Sequence, residues 1–153
     1  MRKLLATLVL LLLGSAFVSF PVYSATGPNV HRVVIQVDAN DPAIMNLALN
    51  NAQNIVNYFN DKQQDIKVEI VADGPGLNML RADTSPVHVQ ERIRQLSENS
   101  LPAVRFSACG HTRAVMEKAE GKPIPIVKDA TVVPSGVVRV MELQEQGWNY
   151  LKP

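Results

Sequence analysis

The chain has 153 residues, a formal net charge of +1 and only 5% aromatic residues. A nearly neutral chain with few aromatic side chains lacks the basic surface and the stacking platforms that nucleic-acid-binding proteins use, so we expect no nucleic-acid partner. The single cysteine excludes a disulfide within the chain.

The amino-terminal segment has the layout of a secretory signal peptide. Arg2 and Lys3 form a positive start, residues 4–13 are a run of mostly apolar residues, and Ser24 precedes a suitable cleavage point. The apolar run is shorter than the roughly 20 residues of a membrane-spanning helix, although a retained anchor is the alternative. We therefore predict a signal peptide over residues 1–24, one domain over residues 25–153, and a periplasmic protein without membrane contact after cleavage.

Strand and helix patterns alternate from residue 31 onward. β-branched residues predict a first strand over His31–Val37, and a second strand is predicted over Ile66–Ala72. Between them, Asp41-Pro42 marks the start of a helix. Apolar residues recur along this helix at helical spacing: Ile44, Leu47, Ala48, Ile55, Tyr58 and Phe59. A short helical segment over residues 77–80 follows the second strand.

The alternation continues through the middle of the chain. Ser85-Pro86 predicts the start of a helix that runs from residue 86 to residue 99. A third strand is predicted over residues 103–108. Cys109-Gly110 then begins a helix that Gly121 ends.

The carboxyl-terminal third contains one further helix between two strands. Two prolines in residues 122–133 remove backbone donors, so any strand there is short or lies near an edge of the sheet. Ser135 caps a helix that Gly147 closes, and residues 148–151 form the last strand. Three apolar residues of this helix share one face: Val137, Val140 and Met141. The whole pattern predicts an α/β protein with a mainly parallel sheet covered by helices on both faces.

Candidate binding residues follow three of the predicted strands. Ligands bind at the carboxyl ends of strands in open α/β sheets. Asp38 follows the first strand, a loop with Asp73, Gly74 and Gly76 follows the second, and Cys109 follows the third. Neighbouring strands would bring these residues to one crevice, whereas the alternative for the glycine loop is a tight turn.

Cys109 is the candidate catalytic residue. Its place at a helix start favours a thiolate, because unpaired N–H groups and the positive end of the helix dipole stabilise the charge. Gly110 leaves the backbone open to close approach, and His111 and Arg113 add positive charge. The alternative is a buried cysteine that packs as a small apolar residue.

A metal site is a further alternative, in which His31 or His88 would join Cys109 and His111. The spacing of these residues matches no common zinc pattern. His31 begins a strand, so it is expected at the opposite end of the sheet from Cys109. We therefore predict no metal ion and no cofactor.

Three stretches carry a resemblance to a known family: VADGPG at residues 71–76, FSACGHT at residues 106–112, and VPSGVVRVMELQEQGW at residues 133–148. They resemble DsrE/DsrF-like proteins, in the secreted branch of that family. The resemblance extends over essentially the whole of residues 25–153. It implies a three-layer α/β/α sandwich around a five-stranded parallel sheet, and homo-oligomers of three or six copies.

The same resemblance implies a role in sulfur metabolism, in which one cysteine passes on persulfide sulfur. We therefore expect a periplasmic sulfur carrier or sulfurtransferase-like protein that holds a persulfide on Cys109. Its partner would be a sulfur donor or acceptor protein, or a small sulfur compound. The alternative is a non-catalytic small-ligand-binding or assembly module whose cysteine is structural.

Overall fold

The computed structural model describes residues 30–100 and 103–153, so the predicted signal peptide and its cleavage site lie outside the described residues. In this part of the chain the strands are β1 (His31–Val37), β2 (Ile66–Ala72), β3 (Val104–Cys109), β4 (Ala130–Val133) and β5 (Asn149–Leu151). The helices are α1 (Pro42–Asp61), α2 (Val87–Asn99), α3 (Gly110–Glu120) and α4 (Gly136–Glu145). A 3-10 helix spans Gly74–Leu80, between β2 and α2.

The five strands form one parallel sheet in the order β4-β3-β2-β1-β5. The connections from β1 to β4 all step in one direction across the sheet, whereas the connection from β4 to β5 returns across it. With right-handed crossovers, α1, α2 and α3 therefore cover one face and α4 covers the other. The expected three-layer α/β/α sandwich with a five-stranded parallel sheet is confirmed.

The two faces of the sheet are covered unequally. The larger core joins strand residues such as Ile35, Ile70 and Phe106 to α1 and α2, with Met116 of α3 at its margin. The smaller core lies under α4 and contains five buried residues: Val34, Val71, Val140, Leu143 and Trp148. A single helix thus covers the second face of the described sheet.

Local sequence signals place most of the boundaries. Asp41 caps α1 with Oδ1, which accepts a hydrogen bond of 2.7 Å from the Ala43 amide, and Pro42 follows at the first helical position. Gly121 ends α3 with a φ of +67°, as expected. β4 has only four residues and forms an edge of the sheet, which confirms the expectation from the two prolines.

Three boundaries differ from the sequence prediction by one residue. The Ser85 hydroxyl donates to the Met79 carbonyl at 2.8 Å, so Pro86 takes the capping position and α2 begins at Val87. β3 begins and ends one residue later than predicted and includes Cys109. Trp148 precedes β5 and is buried in the smaller core.

The predicted apolar faces of two helices are only partly right. In α1 the buried residues are Met45, Ala48, Leu49, Ala52 and Val56, while Leu47 and Tyr58 are exposed. In α4, Val140 and Leu143 face the sheet, whereas Val137 and Met141 are each 55% exposed. Both helices carry apolar residues on two sides, so periodicity alone did not separate the core side from the solvent side. No helix within the described ranges combines the length and the apolar character needed to cross a membrane.

Candidate functional site

The carboxyl ends of β1, β2 and β3 lie side by side at one end of the sheet. These strands are neighbours in the order β3-β2-β1, with Ala72 paired to Val37 on one side and to Ala108 on the other. The Asp73 amide donates to the Val37 carbonyl at 3.1 Å and continues the pairing beyond the strands. The structure therefore brings Asp38, Asp73 and Cys109 to the carboxyl-terminal end of the sheet.

Cys109 is both the last residue of β3 and the N-cap of α3. Its backbone is extended, with φ −67° and ψ 111°, and its Sγ accepts a hydrogen bond from the Thr112 amide at 3.4 Å. Sulfur thus takes the place that a serine or aspartate oxygen has in an ordinary cap. The side chain is only 4% exposed, so access to the thiol is narrow.

A second helix begins directly against this thiol. A Cβ placed on Gly136, the first residue of α4, would lie 3.1 Å from the Cβ of Cys109 and 2.7 Å from the Cβ of Asp73. Carbon atoms pack at about 3.5–4.0 Å, so a side chain has no room here. Glycine therefore lets the amino terminus of α4 approach Cys109, and the amino termini of α3 and α4 converge on one sulfur atom.

Two opposing influences act on the pKa of Cys109, and the net effect lowers it. Burial acts to raise the pKa, because it disfavours the charged thiolate. The Thr112 hydroxyl and the backbone N–H groups of Thr112, Gly136 and His111 act to lower it, because hydrogen bonds stabilise the thiolate. Hydrogen bonding outweighs burial, so the thiolate is favoured relative to an ordinary cysteine.

The other residues of the cysteine motif have separate contacts. A Cβ on Gly110 would lie 2.9 Å from the Val133 carbonyl oxygen, so glycine permits close packing of α3 on the end of β4. The His111 ring is exposed, while its amide donates to the Pro134 carbonyl at 3.1 Å. The Arg113 Nε donates to Glu117 at 2.9 Å, one turn along α3. The leading causes of the lowered pKa of Cys109 among the described residues are hydrogen bonds, not the side chains of His111 and Arg113.

Asp73, like Cys109, packs against Gly136. The Gln36 amide nitrogen donates to both of its carboxylate oxygens, at 3.0 and 3.2 Å. Burial raises the pKa of Asp73, and the neighbouring Asp38 carboxylate adds to the increase. Asp38 itself pairs with Lys152 at 2.5 Å. The candidate site thus has a partly buried carboxyl group next to its thiol.

The glycine loop after β2 contacts α3 through Gly74 and β1 through Gly76. Gly74 has a φ of +48°, and its amide donates to the Thr112 hydroxyl at 3.0 Å. Because the hydroxyl also acts on Cys109, Thr112 links the loop to the thiol. A Cβ on Gly76 would lie 2.0 Å from the Val37 carbonyl oxygen, so this position requires glycine.

Three contributors to the site were not predicted from the sequence: Gln36, Thr112 and Gly136. Thr112 carries a detectable signal, since it lies three residues after the predicted cap, where a capping side chain meets the backbone. Gly136 also carries one, as a glycine at the first turn of a predicted helix. Gln36 has none, because its role depends on the pairing of β1 with β2.

The histidines considered as metal ligands lie in other surroundings. His31 stacks on Phe59 with ring centroids 4.0 Å apart, at the start of β1 and away from the Cys109 edge. His88 Nε2 lies 3.0 Å from the Asn46 amide nitrogen, between α1 and α2. Within residues 30–100 and 103–153, no group of three or more histidine, cysteine or acidic side chains is arranged to hold a metal ion.

Comparisons with known proteins add a structural relative. No protein-family model matches the chain, and no curated protein matches it. Among solved structures, the chain is similar to MTH1491, a protein of unknown function from Methanobacterium thermoautotrophicum. The two share 28% sequence identity and superpose with a TM-score of 0.65, over 80% of this chain and 99% of the archaeal one. The likeness therefore extends across nearly the whole archaeal protein.

Proposed function

We propose that the protein is a periplasmic sulfur carrier or sulfurtransferase-like protein, in which Cys109 holds a sulfane sulfur as a persulfide. The observation that carries this proposal is the position of Sγ. It accepts a hydrogen bond from the Thr112 amide at 3.4 Å, and the first residue of α4 packs against Cys109. A thiolate is the nucleophile in sulfur exchange, and this surrounding favours the thiolate. The resemblance of residues 71–76, 106–112 and 133–148 to DsrE/DsrF-like proteins supports the same chemistry.

The proposed loading step is a thiolate exchange without net oxidation. The Cys109 thiolate attacks the outer sulfur of a donor persulfide, R–S–SH, and forms a new S–S bond. The S–S bond of the donor breaks, and the donor leaves as the thiolate R–S⁻ with the bonding electron pair. The proton stays on the transferred sulfur, so the products are Cys109–S–SH and R–S⁻. An acceptor thiolate repeats the same step in the opposite sense.

The narrow access to Cys109 suits a small donor. With only 4% of the residue exposed, the thiol is sheltered from bulky thiols that would release the bound sulfur. Gly136 lets the backbone of α4 approach Cys109, and the N–H groups of Thr112, Gly136 and His111 act on the sulfur.

We also propose a homo-oligomer, on the basis of the family resemblance. Exposed apolar residues on α4 support it, since Val137 and Met141 are each 55% exposed and Val138 lies beside them. Contiguous exposed apolar surface is typical of protein contacts. The donor or acceptor would be a protein or a small sulfur compound.

A second candidate function is a non-catalytic small-ligand-binding or assembly module. The burial of Cys109 and its role as the cap of α3 favour this candidate, because both are what a structural cysteine would show. Under this hypothesis the thiol resists alkylation at neutral pH. Under the persulfide hypothesis a small alkylating reagent modifies it readily.

Intact-mass measurement tests the proposal. Wild-type protein incubated with a low-molecular-weight persulfide should gain the mass of one sulfur atom and lose it on reduction. The Cys109→Ser variant should fold, because serine is a good N-cap for α3, and should gain nothing. Folding is checked by circular dichroism. A wild-type protein that takes up no sulfur, while its thiol also resists a small alkylating reagent, would favour the binding-module candidate.

A further inference from the structure

An ion cluster around a buried carboxylate lies on the face of the sheet covered by α4. Glu69, in the middle of β2, is only 1% exposed, and its carboxylate accepts four hydrogen bonds. Arg139 donates two, at 2.7 and 2.9 Å, Arg105 donates one at 2.9 Å, and the Ser107 hydroxyl donates one at 2.7 Å. The carboxylate is therefore held from three directions.

One of these three hydrogen-bonding residues belongs to a different element from the other two. Arg105 and Ser107 belong to β3, the strand next to β2, so their bonds stay within the sheet. Arg139 belongs to the first turn of α4, where its amide donates to the Ser135 carbonyl at 3.0 Å. The Glu69–Arg139 pair therefore joins the amino-terminal turn of α4 directly to the sheet.

The position of that turn determines the surroundings of Cys109. Gly136 precedes Arg139 by three residues and packs on the Cβ atoms of Cys109 and Asp73 without a side chain of its own. The apolar anchors of α4, Val140 and Leu143, lie farther along the helix. The Gly136 N–H lowers the pKa of Cys109 from this packed position, and such an effect weakens steeply with distance, so a small retreat of the first turn would reduce it.

We propose that Glu69 and Arg139 are positioning residues that hold the amino terminus of α4 against Cys109 and so set the nucleophilicity of its thiol. This inference rests on the proposed function of Cys109 as a nucleophile. Neither residue touches the reacting sulfur. Their effect is transmitted by the placement of Gly136.

Within this ion cluster, Arg105 provides a control for Arg139. Arg105 and Arg139 bind the same carboxylate, and replacing either one removes one positive charge and leaves Glu69 with the other arginine and Ser107. The buried carboxylate therefore stays paired in both variants, which avoids the large penalty of an unpaired buried charge. Of the two arginines, only Arg139 bonds the carboxylate from α4, whereas Arg105 lies over the Trp148 ring at 6.0 Å from its centroid. Methionine is a suitable replacement, because it is unbranched and apolar and fills space adaptably.

The test measures the rate of Cys109 alkylation by iodoacetamide as a function of pH in wild type, Arg139→Met and Arg105→Met. We expect the Arg139→Met profile to move to higher pH, with the rate at neutral pH reduced about tenfold, as for the loss of a hydrogen bond to a charged group. Arg105→Met should keep the wild-type profile. The difference should persist in 0.5 M salt, since a long-range charge effect would be screened there at roughly 4 Å.

Three results would overturn the positioning role: an unchanged profile in folded Arg139→Met, an equal shift in Arg105→Met, or a shift that salt removes. If Arg139→Met does not fold, Arg139→Lys replaces it, because lysine keeps the charge but not the two-point bond. The same criteria then apply. Persulfide loading is measured separately. A shifted alkylation profile without loading would refute the proposed function alone, and loading with an unshifted profile would refute the positioning role alone.

Discussion

Gly136→Ala is the most direct test of the contact between α4 and the thiol. The added methyl group would lie 2.7 Å from the Cβ of Asp73 and 3.1 Å from the Cβ of Cys109. Carbon contacts of about 3.5–4.0 Å require one side to move by up to ~1 Å. Neither neighbour can rotate its Cβ away, so the first turn of α4 must retreat.

The size of the effect follows from two opposing terms. Inserting a methyl group into a packed site costs about 1–3 kcal/mol. Alanine gains at most about 1 kcal/mol over glycine from helix propensity, and less than that in a first turn. The net loss of stability should therefore be about 1–2 kcal/mol. Moving the Gly136 amide away from Sγ also removes one of the groups that lower the pKa of Cys109, so alkylation at neutral pH should become slower.

Urea denaturation and the pH dependence of alkylation measure these two effects. Gln144→Ala is the matched control, because it alters an exposed residue of α4 outside the apolar residues proposed for the homo-oligomer contact. It should change stability by less than about 0.5 kcal/mol and leave alkylation unchanged. If Gly136→Ala had wild-type stability and a wild-type alkylation profile, α4 would not be packed on Cys109 as described.

Two further substitutions probe the surroundings of the thiol. Thr112→Val removes the hydroxyl that lowers the pKa of Cys109 and that accepts a hydrogen bond from the Gly74 amide. It should slow alkylation and lower the free energy of unfolding by about 1 kcal/mol in urea denaturation. The pKa of Asp73 is raised from its ordinary value of 3.8, first by burial and then by the Asp38 carboxylate. Ionisation of Asp73 therefore destabilises the folded protein as the pH rises above 3.8. Asp73→Asn should therefore be more stable than wild type at pH 7 in urea denaturation, and this advantage should vanish below that value. An equal advantage at both pH values would contradict the linkage.

The elements that the sequence predicted well are those whose signals are local. β1 and β2 have the predicted bounds, because each is an apolar, β-branched run bounded by polar residues. Asp41 and Gly121 each act through a neighbouring backbone group, so the chain nearby suffices to predict them. Cys109 as the start of a helix belongs to the same class.

The parts that the sequence did not predict depend on distant contacts. Glu69 lies between the apolar residues Val68 and Ile70 of β2, which is a signal for a buried partner, but Arg139 lies 70 residues away along the chain. The order of the strands, which puts Cys109 beside Asp73, is likewise a property of the assembled sheet. Arg113 was predicted to act on the thiol from its proximity in sequence, yet its guanidinium Nε bonds Glu117.

The opposing effects on Cys109 explain why so many constraints meet at this edge of the sheet. Burial alone would make the thiol less acidic than a free cysteine, so its reactivity depends on polar groups of α3 and on the Gly136 N–H of α4, which lower its pKa. The bonds from α3 are fixed by the capping geometry, because Cys109 and Thr112 are parts of the same turn. The contribution of the Gly136 N–H comes from a separate element, α4, on the opposite face of the sheet. A glycine at the contact and the bond between Arg139, three residues later, and the buried Glu69 carboxylate are the two features that we propose keep this second helix close to the sulfur.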